Sequence, residues 1–128
     1  MKYKNNVLKP FLISKDKILE VHYKDNVIVT LEEIKMLLDD LYVFSKNERM
    51  KRLIVISQNA KMELAARIYL QEQNKNYKNL IAAEAIVVCS LTQKMTTNFY
   101  LKFIKDSYPS KFFTEIDKAK EWLLKQGQ

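Results

Sequence analysis

Four aliphatic residues in succession, Leu53-Ile54-Val55-Ile56, are followed by a polar turn, Ser57-Gln58-Asn59, and then by helical periodicity from Ala60 to Asn74. A short run without polar breaks suits a strand covered on both faces, as in parallel sheets. The stretch from Lys51 to Gln73 therefore reads as one strand-to-helix half of a βαβ unit. The pattern recurs downstream, where Ala83 to Cys89 reads as a strand. Ser90-Leu91-Thr92-Gln93 then has capping-box spacing and opens a helix over about Leu91 to Lys105.

The segments on either side extend this plan. Val7 to Ser14 has the alternation of a strand, and Pro10 restricts it to a sheet edge. After a turn at Ser14–Lys17, Ile18 to Tyr23 alternates, with Leu19, Val21 and Tyr23 on one face and Glu20 and His22 on the other. These two segments form an antiparallel hairpin. Thr30-Leu31-Glu32-Glu33 is a capping box, and the helix after it places Leu31, Ile34, Leu37, Leu38 and Leu41 on a core face. Near the end, Lys111 to Thr114 reads as a strand, with Thr114 capping a helix over Ile116–Lys125. The order is β-β-α-β-α-β-α-β-α: an α/β chain whose mixed, mostly parallel sheet opens with an antiparallel N-terminal hairpin.

With 128 residues and no internal linker, residues 1–128 are expected to form a single domain. The scarcities exclude several chemistries. The one glycine is Gly127, so neither a Walker loop nor a dinucleotide fingerprint is present. One histidine, His22, and one cysteine, Cys89, make a zinc site of the usual ligands implausible, and no metal or cofactor is expected. No apolar run approaches the roughly 20 residues that cross a bilayer, and the N-terminus leads into no apolar signal region, so a cytoplasmic chain is expected. The net charge is +7, but the lysines are dispersed and only three arginines occur. Specific nucleic-acid binding is therefore not expected.

The C-terminal third carries a family resemblance. Ala85-Ile86-Val87-Val88-Cys89-Ser90-Leu91, Asn98-Phe99-Tyr100-Leu101, Pro109-Ser110-Lys111-Phe112-Phe113-Thr114 and Ala119-Lys120-Glu121-Trp122-Leu123 follow one another in order. Over residues 82–124 this set resembles a family of small stand-alone STAS-like (SpoIIAA-like) proteins, mostly of unassigned function. The resemblance implies a STAS-like fold and a role in binding. Anti-sigma-factor antagonists of this fold are similar to one another in an Asp-Ser-Ser-Gly-type turn whose serine is phosphorylated. The corresponding region here, Ser57-Gln58-Asn59-Ala60-Lys61-Met62-Glu63, lacks that motif. A phosphoserine switch is not carried over.

Two candidate sites follow. Ser57, Asn59, Ser90 and Thr92, with Thr114, fall at the carboxyl edge of the sheet, where parallel folds place their sites and helix N-termini can meet anions. The same residues also serve as ordinary caps and turns. On the helix over 91–105, Leu91, Met95, Phe99 and Phe103 form an apolar stripe. Tyr100, Leu101 and Ile104 lie outside it and suggest an interaction surface. The expected function is a non-enzymatic cytoplasmic binding or regulatory module. It would act by protein–protein contact with a partner or with itself as a homodimer, without membrane insertion. The alternative is a carrier or sensor of a small apolar or lipid-like ligand, with weak nucleic-acid binding a third reading.

Overall fold

A computed structural model of the chain describes residues 7, 12–46, 48–57, 59–76, 78–89 and 108–126. The main sheet has five strands: β1 (Leu12–Ile13), β2 (Ile18–His22), β4 (Met50–Val55), β6 (Ile81–Val87) and β7 (Ser110–Phe113), in the spatial order β1-β2-β4-β6-β7. β1 pairs antiparallel with β2, and every later neighbour is parallel. The expected hairpin and parallel sheet are thus present. Val21, Ile54 and Ile86 lie on adjacent parallel strands in register.

Two core layers cover the sheet. On one face, Leu19, Val21 and Met50 pack against Ile34, Leu37 and Leu38 of helix α1 (Leu31–Ser45) and Ala66 of helix α2 (Leu64–Asn76). On the other, Ile18, Leu53, Val55, Ala83, Ala85 and Val87 pack against Ala119 and Leu123 of helix α3 (Ile116–Lys125). Ala83 and Ala85 of β6 leave room for α3 to lie close. Burying each large aliphatic side chain contributes about 1.5–3 kcal/mol. Phe113 and Trp122 join this second layer, with ring centroids 5.8 Å apart.

α1 begins as its sequence dictates. The Glu33 backbone N–H donates to Thr30 Oγ1 at 3.2 Å, and the Thr30 hydroxyl donates to the Glu33 carboxylate at 3.2 Å. The helix ends at Lys46, whose left-handed backbone (φ 57°) lets its N–H reach the Tyr42 and Val43 carbonyls. Glycine usually takes this place. In a chain without an internal glycine, Lys17, Asn26, Lys46 and Asn59 carry the positive φ angles among the described residues.

Four expectations are corrected. The helix expected from Ala60 starts at Leu64, because Lys61–Met62 forms a strand, β5, parallel to β3 (Ile28–Val29). The N–H groups of Lys61 and Glu63 donate to Val27 and Val29, so long-range pairing overrides local helical periodicity. Nor do all the apolar residues of that periodic run face the core, since Leu64 and Ile68 are exposed. Thr114 does not cap α3: the N-cap is Glu115, without a side-chain cap. The strand expected to end at Cys89 ends at Val87; Cys89 lies exposed just beyond it, and its thiol donates to the Ile56 carbonyl at 3.4 Å.

Candidate functional site

Of the five polar residues expected at the carboxyl edge of the sheet, Ser57, Asn59 and Thr114 are among those described. Ser57 follows β4, and its hydroxyl donates to the Tyr23 carbonyl at the end of β2. Tyr23 in turn donates its N–H to Val55 at 2.9 Å. Ser57 therefore satisfies a carbonyl that would otherwise end the β2 ladder. Asn59 is exposed at a turn where its φ of 59° suits asparagine. Ser90, Thr92 and the surface formed by Tyr100, Leu101 and Ile104 lie outside the described residues.

At the same edge, a cleft of about 210 Å³ is lined by Phe112, Phe113, Thr114, Glu115 and Lys118. Glu115 and Lys118 pair with each other at 3.1 Å. The cleft is smaller than the roughly 300–1,000 Å³ of small-molecule pockets. Between α1 and the sheet, a cavity of about 20 Å³ is lined in part by Leu38, Tyr42, Met50 and Arg52, room for about one water. Among the described residues no group of three or more His, Cys, Asp or Glu side chains could hold a metal ion. Nor is any described helix long and apolar enough to cross a membrane.

A charged cluster inside the sheet escaped the sequence reading. Arg52 on β4 and Glu84 on β6 are register partners, 8% and 2% exposed, and they form an ion pair. Tyr108, which precedes β7, accepts from the same guanidinium at 3.2 Å, with its ring 5.9 Å from the guanidinium carbon. Burial, opposed by nearby Arg52 and reinforced by Glu84, pushes the Tyr23 phenol up to about 12. One signal was available: Glu84 interrupts an otherwise apolar strand, and Arg52, opposite in sign, leads directly into the aliphatic run of β4. Buried charges persist when paired.

On the other face, Glu20 accepts from Lys120 of α3 at 2.9 Å and lies 3.2 Å from His22 Nε2. Burial raises the Glu20 carboxyl, but Lys120 and His22 outweigh it and hold the group below its ordinary value of 4.5. The cluster fastens α3 to β2.

The outward sides of α1 and α2 are the least ordinary surface. The helices lie side by side, with the Lys35 ammonium 5.6 Å from the centre of the Tyr69 ring. Met36 and Val43 on α1, and Leu64 and Ile68 on α2, are 48–64% exposed. On α1, Glu32, Met36, Asp39 and Val43 fall within roughly 60° of one another at 100° per residue. This stripe lies opposite Ile34, Leu37 and Leu41.

The architecture has a solved counterpart. The chain is similar to the crystal structure of an uncharacterized protein from the DUF3478 family with a SpoIIAA-like fold, from Shewanella loihica PV-4. The TM-score is 0.69 at 19% identity, over 96% of this chain and 98% of that one. At this identity the likeness shows the fold alone, and that fold is the STAS-like one expected from the sequence. No curated protein matches the chain. Residues 11–126 match the family described as a domain of unknown function, DUF7793, and the chain belongs to that family.

Proposed function

We propose that this chain is a non-enzymatic, cytoplasmic binding module that works by protein–protein contact through the outer sides of α1 and α2. The observation that supports this reading is the set of four large aliphatic side chains, Met36, Val43, Leu64 and Ile68, held in solvent on two adjacent helices. Leaving such side chains in water forgoes favourable burial that a partner can recover. Single exposed aliphatics are ordinary, but four on neighbouring helices favour an interface. The carboxyl-edge polar groups support no competing catalytic set, because Ser57 is engaged by the Tyr23 carbonyl and Asn59 serves a turn.

Site-specific photo-crosslinking tests the reading. A benzophenone side chain is placed at Val43, and separately at Glu121 on the exposed side of α3, in the full chain in its source cell. A discrete protein adduct at Val43 that disappears with Met36→Lys, and no adduct at Glu121, is the expected result. No adduct at Val43, or equal labelling at both positions, contradicts it.

A further inference from the structure

The interface proposed above fixes where a partner docks, and its charge indicates what kind of partner. α1 carries four acidic residues, Glu32, Glu33, Asp39 and Asp40, against the single lysine Lys35, in a chain of net charge +7. Its outward stripe alternates acidic and apolar residues: Glu32, Met36, Asp39, Val43. On α2 the outward side carries Leu64 and Ile68, with Glu72 one turn beyond Ile68. Among the described side chains of the two helices, the exposed charges are Glu32, Asp39 and Glu72 against Lys35. Lys35 is itself engaged over the Tyr69 ring. The surface is therefore acidic and apolar, on a protein that is otherwise basic.

We infer that the α1–α2 surface receives a cationic amphipathic segment of another protein, with aliphatic side chains against Met36 and Val43 and lysine or arginine beside Glu32 and Asp39. An apolar surface edged with acidic groups selects partners of the opposite charge, because like charges across an interface are costly. The same argument disfavours a two-fold dimer through this surface, which would set acidic stripe against acidic stripe. It also disfavours a nucleic acid, whose phosphates the stripe repels. The inference rests on the binding-module reading.

The test uses the full chain and a fluorescent 18-residue peptide of leucine and lysine at amphipathic-helix spacing. A leucine–glutamate counterpart and a scrambled leucine–lysine peptide serve as controls. Anisotropy titrations are expected to show saturable 1:1 binding of the amphipathic lysine peptide alone, weakening as salt rises. Glu32→Lys with Asp39→Lys, and separately Met36→Ser with Val43→Ser, weaken binding at least tenfold. Glu121→Lys, a like charge change on α3, shifts it less than twofold. All of these positions are exposed, so circular dichroism melts verify that each variant folds.

Absent binding, equal binding of the glutamate or scrambled peptide, or insensitivity to the α1 variants overturns the inference. So does a wild-type dimer in sedimentation that Met36→Ser with Val43→Ser dissociates, since the occupant is then a second copy. If the peptide fails while the Val43 crosslink persists, the cationic assignment falls and the binding module stands. If both fail, both fall.

Discussion

Arg52 and Glu84 face each other across the central pair of parallel strands, each nearly sealed from solvent, with the guanidinium also held by the Tyr108 hydroxyl. Two ions removed from water cost several kcal/mol each, and their attraction offsets that cost only while both are present. The pair fixes the register of β4 against β6 and ties the approach to β7 into the same cluster.

Removing one partner strands the other. Glu84→Ala or Arg52→Ala is expected to destabilise the fold by about 3–5 kcal/mol in urea denaturation. Replacing both, Arg52→Met with Glu84→Leu, costs much less than the sum of the single changes. Additive single and double effects would show that the two charges are not coupled.

The Thr30 cap is local and modest. Thr30→Ala removes the acceptor for the Glu33 N–H and is expected to cost about 1 kcal/mol. At the other end of α1, Lys46→Gly relieves a left-handed lysine backbone, which costs roughly 1–2 kcal/mol. Part of that gain is offset by the greater unfolded-state freedom of glycine. A small rise in melting temperature is expected for Lys46→Gly, and a fall for Thr30→Ala. A fall for both would contradict the C-cap assignment.

Ser57 is expected to act through stability rather than as a switch. Ser57→Ala leaves the Tyr23 carbonyl without this donor and costs about 1–2 kcal/mol. Ser57→Glu costs more, because a charge replaces a donor where a carbonyl must be satisfied. Both variants should retain partner binding once folded. Opposite effects of the two on partner affinity, with a phosphate on Ser57 in the source cell, would contradict this.

The Glu20 cluster predicts an acid limb. Its carboxyl is held below 4.5 in the fold, so the unfolded chain binds the proton more readily. Its contribution is present above about pH 4.5 and is lost as pH falls through the lower folded value. Glu20→Gln should flatten the pH dependence of stability in that range relative to the parent. An unchanged acid limb would mean that the Lys120 and His22 contacts do not hold the carboxylate in solution.

The sequence carried the framework well, because its signals are periodic and local. The aliphatic run at Leu53–Ile56, the alternation of Ile18–Tyr23 and the Thr30–Glu33 spacing each specify an element without reference to the rest of the chain. Long-range effects were harder to read. Helical periodicity from Ala60 gives no hint that Val27 and Val29 capture the Lys61 and Glu63 amides and delay the helix to Leu64. Nor does that periodicity show that Leu64 and Ile68 lie exposed on α2. The Arg52–Glu84 pair needs strand order as well as strand identity, since the two residues are partners only when β4 and β6 are neighbours. Thr114 is the better capping residue by type, yet the helix starts so that Glu115 takes the N-cap position without a side-chain cap. Of the expected carboxyl-edge site, Ser57 and Asn59 follow β4, and each is accounted for by a local backbone need.

The most direct test of the central claim is an amide chemical-shift map of the full chain, titrated with the leucine–lysine peptide. The account predicts that perturbations concentrate on α1 and α2, at Glu32, Met36, Asp39, Val43, Leu64 and Ile68, and saturate at one peptide per chain. Perturbations centred instead on the carboxyl edge at Ser57 and Thr114, or on α3 around Glu121, with α1 unmoved, would contradict it.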